Sequence, residues 1–124
     1  MLLTSPRLTV GLYVYNTIVI NTDCGENMKI LAIEKESEGV KPEQFTPHLK
    51  DEAVCVWEMY QSGTIRELYF RQDHPEAVLI LECASEHEAL QALDRLPLVQ
   101  AGLIRFEVIP LVPYPGFARL FSNK

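Results

Sequence analysis

The stretch Gly63–Asp73, "GTIRELYFRQD", sets a carboxylate, a phenol and two guanidiniums into a run of strand-forming residues. A carboxylate can take a proton from carbon. A phenol can donate to an oxygen that gains charge, and a guanidinium can hold a substrate carboxylate. Those roles fall to Glu67 as acid/base, Tyr69 as donor, and Arg66 or Arg71 as clamp. His48 is the best-placed imidazole for catalysis if its helix borders a pocket, and Trp57 and Glu107 are further candidates to bind substrate. The three histidines, His48, His74 and His87, have spacings that suit no metal motif.

By strict alternation Ile65, Glu67, Tyr69 and Arg71 point one way, and Arg66, Leu68 and Phe70 the other. A strand with one wet face should read apolar inside and polar outside. Both sides here mix charge with large apolar groups, and ionised groups do not enter a core without partners. The surroundings of this strand must therefore accept both kinds of side chain.

The elements around it follow from pattern. Met28–Glu36 alternates as a strand, and Ser37–Pro47 is a connection rich in turn formers. A helix is expected from about Thr46 or Pro47, with Leu49, Ala53, Val56, Trp57 and Tyr60 on one apolar face and Gly63 as its stop. Trp57 and Tyr60 thus read first as core aromatics. Strands over Thr64–Arg71 and Ala77–Cys83 are joined by "QDHPE", a joint of hairpin length. Ser85 and Glu88 form a capping box that opens a second helix carrying Leu90, Leu93 and Leu96, ended by Pro97. A last strand runs from about Leu103 to Leu111.

The order strand, helix, strand, strand, helix, strand predicts an α+β, ferredoxin-like βαββαβ fold, an antiparallel four-stranded sheet with both helices on one face. The other face then lies bare, yet the strands are apolar in both parities. Ile104, Phe106 and Val108 oppose Ile109 and Leu111, and Val78 and Ile80 oppose Leu79 and Leu81. A face left to water would not carry so many. A second copy packed sheet to sheet would cover them, each buried side chain contributing roughly 1.5–3 kcal/mol before the cost of association. Glu67, Tyr69 and Arg71 would then line a partly dry hollow between the copies.

With 124 residues the chain forms one domain, and its 11 basic against 17 acidic residues lack the basic stripe that nucleic acid demands. Residues 1–27 carry no compact basic segment, and Asn16, Thr17 and Asn21 break their apolar run, so neither a signal peptide nor a membrane span is expected. They read either as an added hairpin or strand, or as sequence upstream of a true start at Met28, with residues 28–124 the domain. Cys24, Cys55 and Cys83 form no CxxC pair and read as free thiols of a cytoplasmic protein.

From Met28 onward the chain resembles the dimeric α/β-barrel superfamily, and within it the muconolactone-isomerase-like group. The likeness rests on Gly63, Arg66 and Leu68 in "GTIREL", on Leu96-Pro97-Leu98, on Phe106-Glu107-Val108, and on a proline-containing tail. It implies a ferredoxin-like subunit paired through its sheets into a homodimer or higher homo-oligomer. It also implies a cofactor-free isomerase or lyase acting on a small carboxylated or lactone substrate. Only Arg66 and Glu107 match among the ionisable residues. Glu67 stands where that group has a histidine, Phe70 where it has an arginine, and "VQAGL" replaces an aromatic-proline turn. Two further readings stand beside it. One is a non-catalytic ligand-binding or regulatory dimer, the other a cofactor-free monooxygenase using Trp57 and Tyr69. In the tail "PYPGFARLF", the residues Phe117, Leu120 and Phe121 need cover, from a partner subunit or from their own domain.

Overall fold

The computed structural model describes residues 27–122. The expectation for the N-terminal segment, and with it Cys24, lies outside these residues except at Asn27.

Four strands, β1 (Met28–Glu36), β2 (Ile65–Phe70), β3 (Ala77–Cys83) and β4 (Ile104–Leu111), form one antiparallel sheet in the order β2-β3-β1-β4. Between β1 and β2 come a short helix α1 (Pro42–Phe45), a 3₁₀ turn (Thr46–His48) and the long helix α2 (Leu49–Gln61). Between β3 and β4 come α3 (Glu86–Leu93) and α4 (Pro97–Gln100). The fold is α+β and compatible with the ferredoxin-like arrangement. After β4 the chain leaves the sheet and ends in a second 3₁₀ segment, Gly116–Phe121.

The core lies between the helices and one face of the sheet. Ile30 and Ala32 of β1, Ile65 of β2, and Leu79, Leu81 and Cys83 of β3 meet Met59 of α2, Ala89, Ala92 and Leu93 of α3, and Leu96. A smaller cluster of Leu98, Leu103 and Ile104 closes one end. Cys55 and Cys83 are both free thiols, Cys55 partly and Cys83 fully buried.

Local chemistry sets the joints. The α2 helix stops where Gly63 takes φ +87°, a conformation that a side chain disfavours, and its N–H donates to Tyr60 O at 3.2 Å. Ser85 caps α3 by accepting from the Glu88 N–H at 3.1 Å. Glu88 returns the bond one residue earlier than a standard capping box, to the Ala84 N–H at 2.8 Å. Pro97 does not end α3, which stops at Leu93. It opens α4, where its missing N–H costs nothing.

Two readings of side-chain direction are corrected. On α2 the inward face is Glu52, Cys55, Val56 and Met59, whereas Leu49, Ala53, Trp57 and Tyr60 lie outside, with Trp57 56 % exposed. The helix is rolled toward its Met59 side because α4 packs against it there and Glu52 bonds the Leu98 N–H at 3.0 Å. In β2, Ile65 pairs with Leu81, but the next partner pair is Glu67 with Ile80, so Arg66 is an extra residue, a β-bulge. Beyond it Leu68 lies opposite Leu79 and Phe70 opposite Ala77, which puts them on the helix side with Ile65. Glu67 and Tyr69 therefore face the other way from Ile65. The mixed character of this strand is the mark of that inserted residue.

Candidate functional site

The uncovered face of the sheet can be read row by row from the register. One row is Tyr69, Val78, Ile33 and Glu107; the next is Glu67, Ile80, Leu31 and Ile109. Glu82, Lys29 and Leu111 follow at one end, and Lys35 with Arg105 at the other. Its centre is thus apolar (Leu31, Ile33, Val78, Ile80, Ile109), all only partly buried, with charge at the border. The β2–β3 side of that border brings the acids Glu67 and Glu82, while β1 and β4 bring Lys29, Lys35 and Arg105 together with one acid, Glu107.

On this face Tyr69 Oη donates to Glu67 Oε1 at 2.9 Å. The bond raises the phenol's pKa above its usual value, as does the nearby Glu67 charge, so Tyr69 is held protonated as a donor. The pair is a carboxylate base beside a hydroxyl that can turn to an oxyanion. Both side chains are exposed in the single chain.

The two arginines beside them are already engaged. Arg66 Nε lies 3.4 Å from Glu82 Oε1. Arg71 forks onto Asp73, with Nε to Oδ1 at 2.9 Å, and also reaches Glu76 at 3.8 Å. This group stiffens the β2–β3 loop, where His74 Nε2 meets Glu76 Oε1 at 2.7 Å and the Glu36 N–H donates to Glu76 Oε2 at 3.0 Å. Those bonds hold the Glu76 carboxyl below its usual range, the Glu36 amide first and then His74. Asp73 is likewise lowered, chiefly by Arg71. Glu107 makes a loose contact with Lys35 at 3.9 Å and lies three strands from Tyr69, about 14 Å at ordinary strand spacing.

His48 and Trp57 do not join this group. His48 lies one turn before Glu52 at the start of α2, on the helix side of the sheet, and Trp57 stands on the outer flank of α2 beside Tyr60, ring centroids 6.1 Å apart.

The interior holds carboxylates that strand and helix pattern alone passed over. Glu34 is the one buried charged residue in the described chain, 7 % exposed, and accepts from the Ala77 N–H at 2.9 Å. Burial pushes its carboxyl up, partly opposed by that amide bond; Glu36, Glu76 and Glu52 add to the rise. Glu52 is also raised by burial and opposed by the Leu98 N–H. Each binds the backbone N–H at the start of an element, Ala77 of β3 and Leu98 of α4, which is structural work. The sequence mark of Glu34 was its phase with Ile30 and Ala32; that of Glu52 was its phase with Cys55, Val56 and Met59.

A cavity of about 260 Å³ lies between the end of β3 and α3, lined by Thr64, Glu82, Cys83, Glu88, Gln91, Ala92 and Arg95. Burial raises the Cys83 thiol, which keeps it protonated and a poor nucleophile there. Among the described residues no group of three or more His, Cys, Asp or Glu is placed to hold a metal, and no helix is long and apolar enough to cross a membrane. No protein-family model and no curated protein matches the chain.

Proposed function

We propose that this protein is a sheet-paired homodimer of the dimeric α/β-barrel type, and a cofactor-free isomerase or lyase of the muconolactone-isomerase-like kind. The observation that carries this reading is the Tyr69–Glu67 pair, bonded at 2.9 Å on a sheet face whose centre is apolar. A second copy turned by a two-fold axis would lay its β1–β4 border, three cations with the one acid Glu107, against the Glu67 and Glu82 border of the first. It would also dry the hollow in which proton transfer runs.

The substrate is a small lactone or cyclic acid. Glu67 takes the proton from the carbon beside a carbonyl. The Tyr69 hydroxyl turns to the carbonyl oxygen and donates to it as charge develops. Glu67 then returns the proton at the far carbon, so the double bond moves and no atom is gained or lost. The cation that holds the substrate carboxylate comes from the β1–β4 border of the second copy, because Arg66 and Arg71 are tied to Glu82, Asp73 and Glu76. That same tying favours a second reading, a dimer that binds a small ligand without turning it over.

Screening small lactones and cyclic acids for double-bond migration, with exchange of the transferred proton for deuterium, tests the proposal. Glu67→Gln should cost about 10²–10⁴-fold in turnover, the usual share of a general base. Turnover untouched by that change removes Glu67 from the role. Binding without turnover in the unaltered protein supports the second reading. Ile80→Glu, which places charge at the centre of the face, should yield single chains; a dimer unaffected by it rules out sheet pairing.

A further inference from the structure

We propose that the C-terminal arm, residues 112–121, docks on the outer flank of α2 of another copy and joins sheet-paired dimers into a larger assembly. The arm has a defined course yet is uncovered. Tyr114, Phe117, Leu120 and Phe121 are between 65 % and 82 % exposed, and no element of the described chain packs substantially on Gly116–Phe121. It holds its shape by itself: the Tyr114 and Phe117 rings meet edge to face at 5.1 Å, and Gly116 is buried where a Cβ would strike the Tyr114 ring. A preshaped arm loses little freedom on docking.

Its size and charge name the partner. At about 150–250 Å² per aromatic side chain, the arm offers roughly 500–600 Å² of largely apolar surface. That is most of the roughly 800 Å² per side that a stable interface needs, and as large as the biggest apolar patch an ordinary monomer leaves open. Arg119 is its only charge, and it makes no ion pair among the described residues. The α2 flank is the complement. It shows Val54, Trp57 and Tyr60, each about half exposed, with Asp51 and Glu58 to one side and Lys50 among them. Among the described residues none of these three charges makes an ion pair. On the outer side of α2 one lysine stands against two acids, because Glu52 faces inward. Neither surface covers the other within one chain, so the match is met between copies.

Sedimentation of the full chain across micromolar concentrations provides the test. The unaltered protein should run larger than a dimer. Phe117→Ser with Leu120→Ser, or Trp57→Ser alone, should each reduce it to the dimer. Arg119→Glu should weaken the larger assembly by about two- to five-fold, the size of an exposed ion pair, and adding Glu58→Arg should restore it. Ile80→Glu separates this contact from sheet pairing: it breaks the sheet pairs and leaves arm-to-helix association in place. The inference is overturned if the protein never exceeds a dimer, if arm and helix variants leave a larger assembly intact, or if the charge exchange restores nothing. It is also overturned if deleting residues 1–26, rather than altering the arm, dissolves the assembly.

Discussion

Glu34 accepts the Ala77 N–H at 2.9 Å from inside the protein, a carboxylate bonded where the β1–β3 ladder runs out. Burial raises its pKa, so the folded protein holds this proton more tightly than the unfolded chain does. The resulting stabilisation is complete below the ordinary glutamate value and is lost as pH rises through the raised folded value. Asp73 and Glu76 act in the opposite sense. Their carboxyls are lowered, so their contribution is present above the ordinary values and lost as pH falls. Glu34→Gln keeps an acceptor for Ala77 and removes the charge. Urea unfolding over a pH series should show the decline above the glutamate range flattened, with the acid limb unchanged. A curve identical to the unaltered protein's would show that Glu34 does not titrate on folding.

Glu52 bonds the Leu98 N–H at 3.0 Å and so fastens α4 to α2. Glu52→Ala strands that amide and should cost about 1–3 kcal/mol. Glu52→Gln supplies a neutral acceptor and should recover most of the loss. Equal losses in the two variants, read from urea midpoints, would mean that the charge and not the bond is what matters.

Gly63 stands at φ +87°, and a Cβ there would meet the Arg66 guanidinium at 3.2 Å. Gly63→Ala should destabilise by about 1–2 kcal/mol through the left-handed backbone, with an unchanged denaturant slope.

Tyr69 is held protonated first by its bond to Glu67 and then by that residue's charge. In Glu67→Gln the phenol should ionise at lower pH, nearer the ordinary value of about 10. Ultraviolet absorbance against pH reads it, with Tyr69→Phe identifying the transition.

Much of the architecture could be read directly from pattern. The bounds of β1 and β3 match their alternating runs, and the opposed parities of β3 and β4 are those of the register. Hydrophobic spacing misled at α2 because Trp57, Tyr60, Ala53 and Leu49 make a better apolar stripe than Met59, Val56, Cys55 and Glu52. Tertiary contact with α4 chose the second stripe, glutamate included. Glu34 was visible as a strand glutamate, but alternation cannot say which charged residue finds a buried amide to bind. The pairing of Glu67 with Tyr69 follows from spacing of two along a strand, while the side they share did not, because mixed faces signal a break in alternation without saying which residue is surplus.

That surplus residue has a consequence for how such a chain can change over time. Swapping Arg66 for another amino acid alters one contact, the link to Glu82. Deleting it would close the bulge without moving the acid or the phenol, because Glu67 already lies opposite Ile80 and Tyr69 opposite Val78. Pairing Arg66 in line instead would bring Glu67 opposite Leu79 and Tyr69 opposite Ala77, on the helix side. The open side of this sheet therefore tolerates the loss of a residue at this point, whereas drawing Arg66 into the ladder would turn the acid and the phenol inward with every reactive group still in the chain.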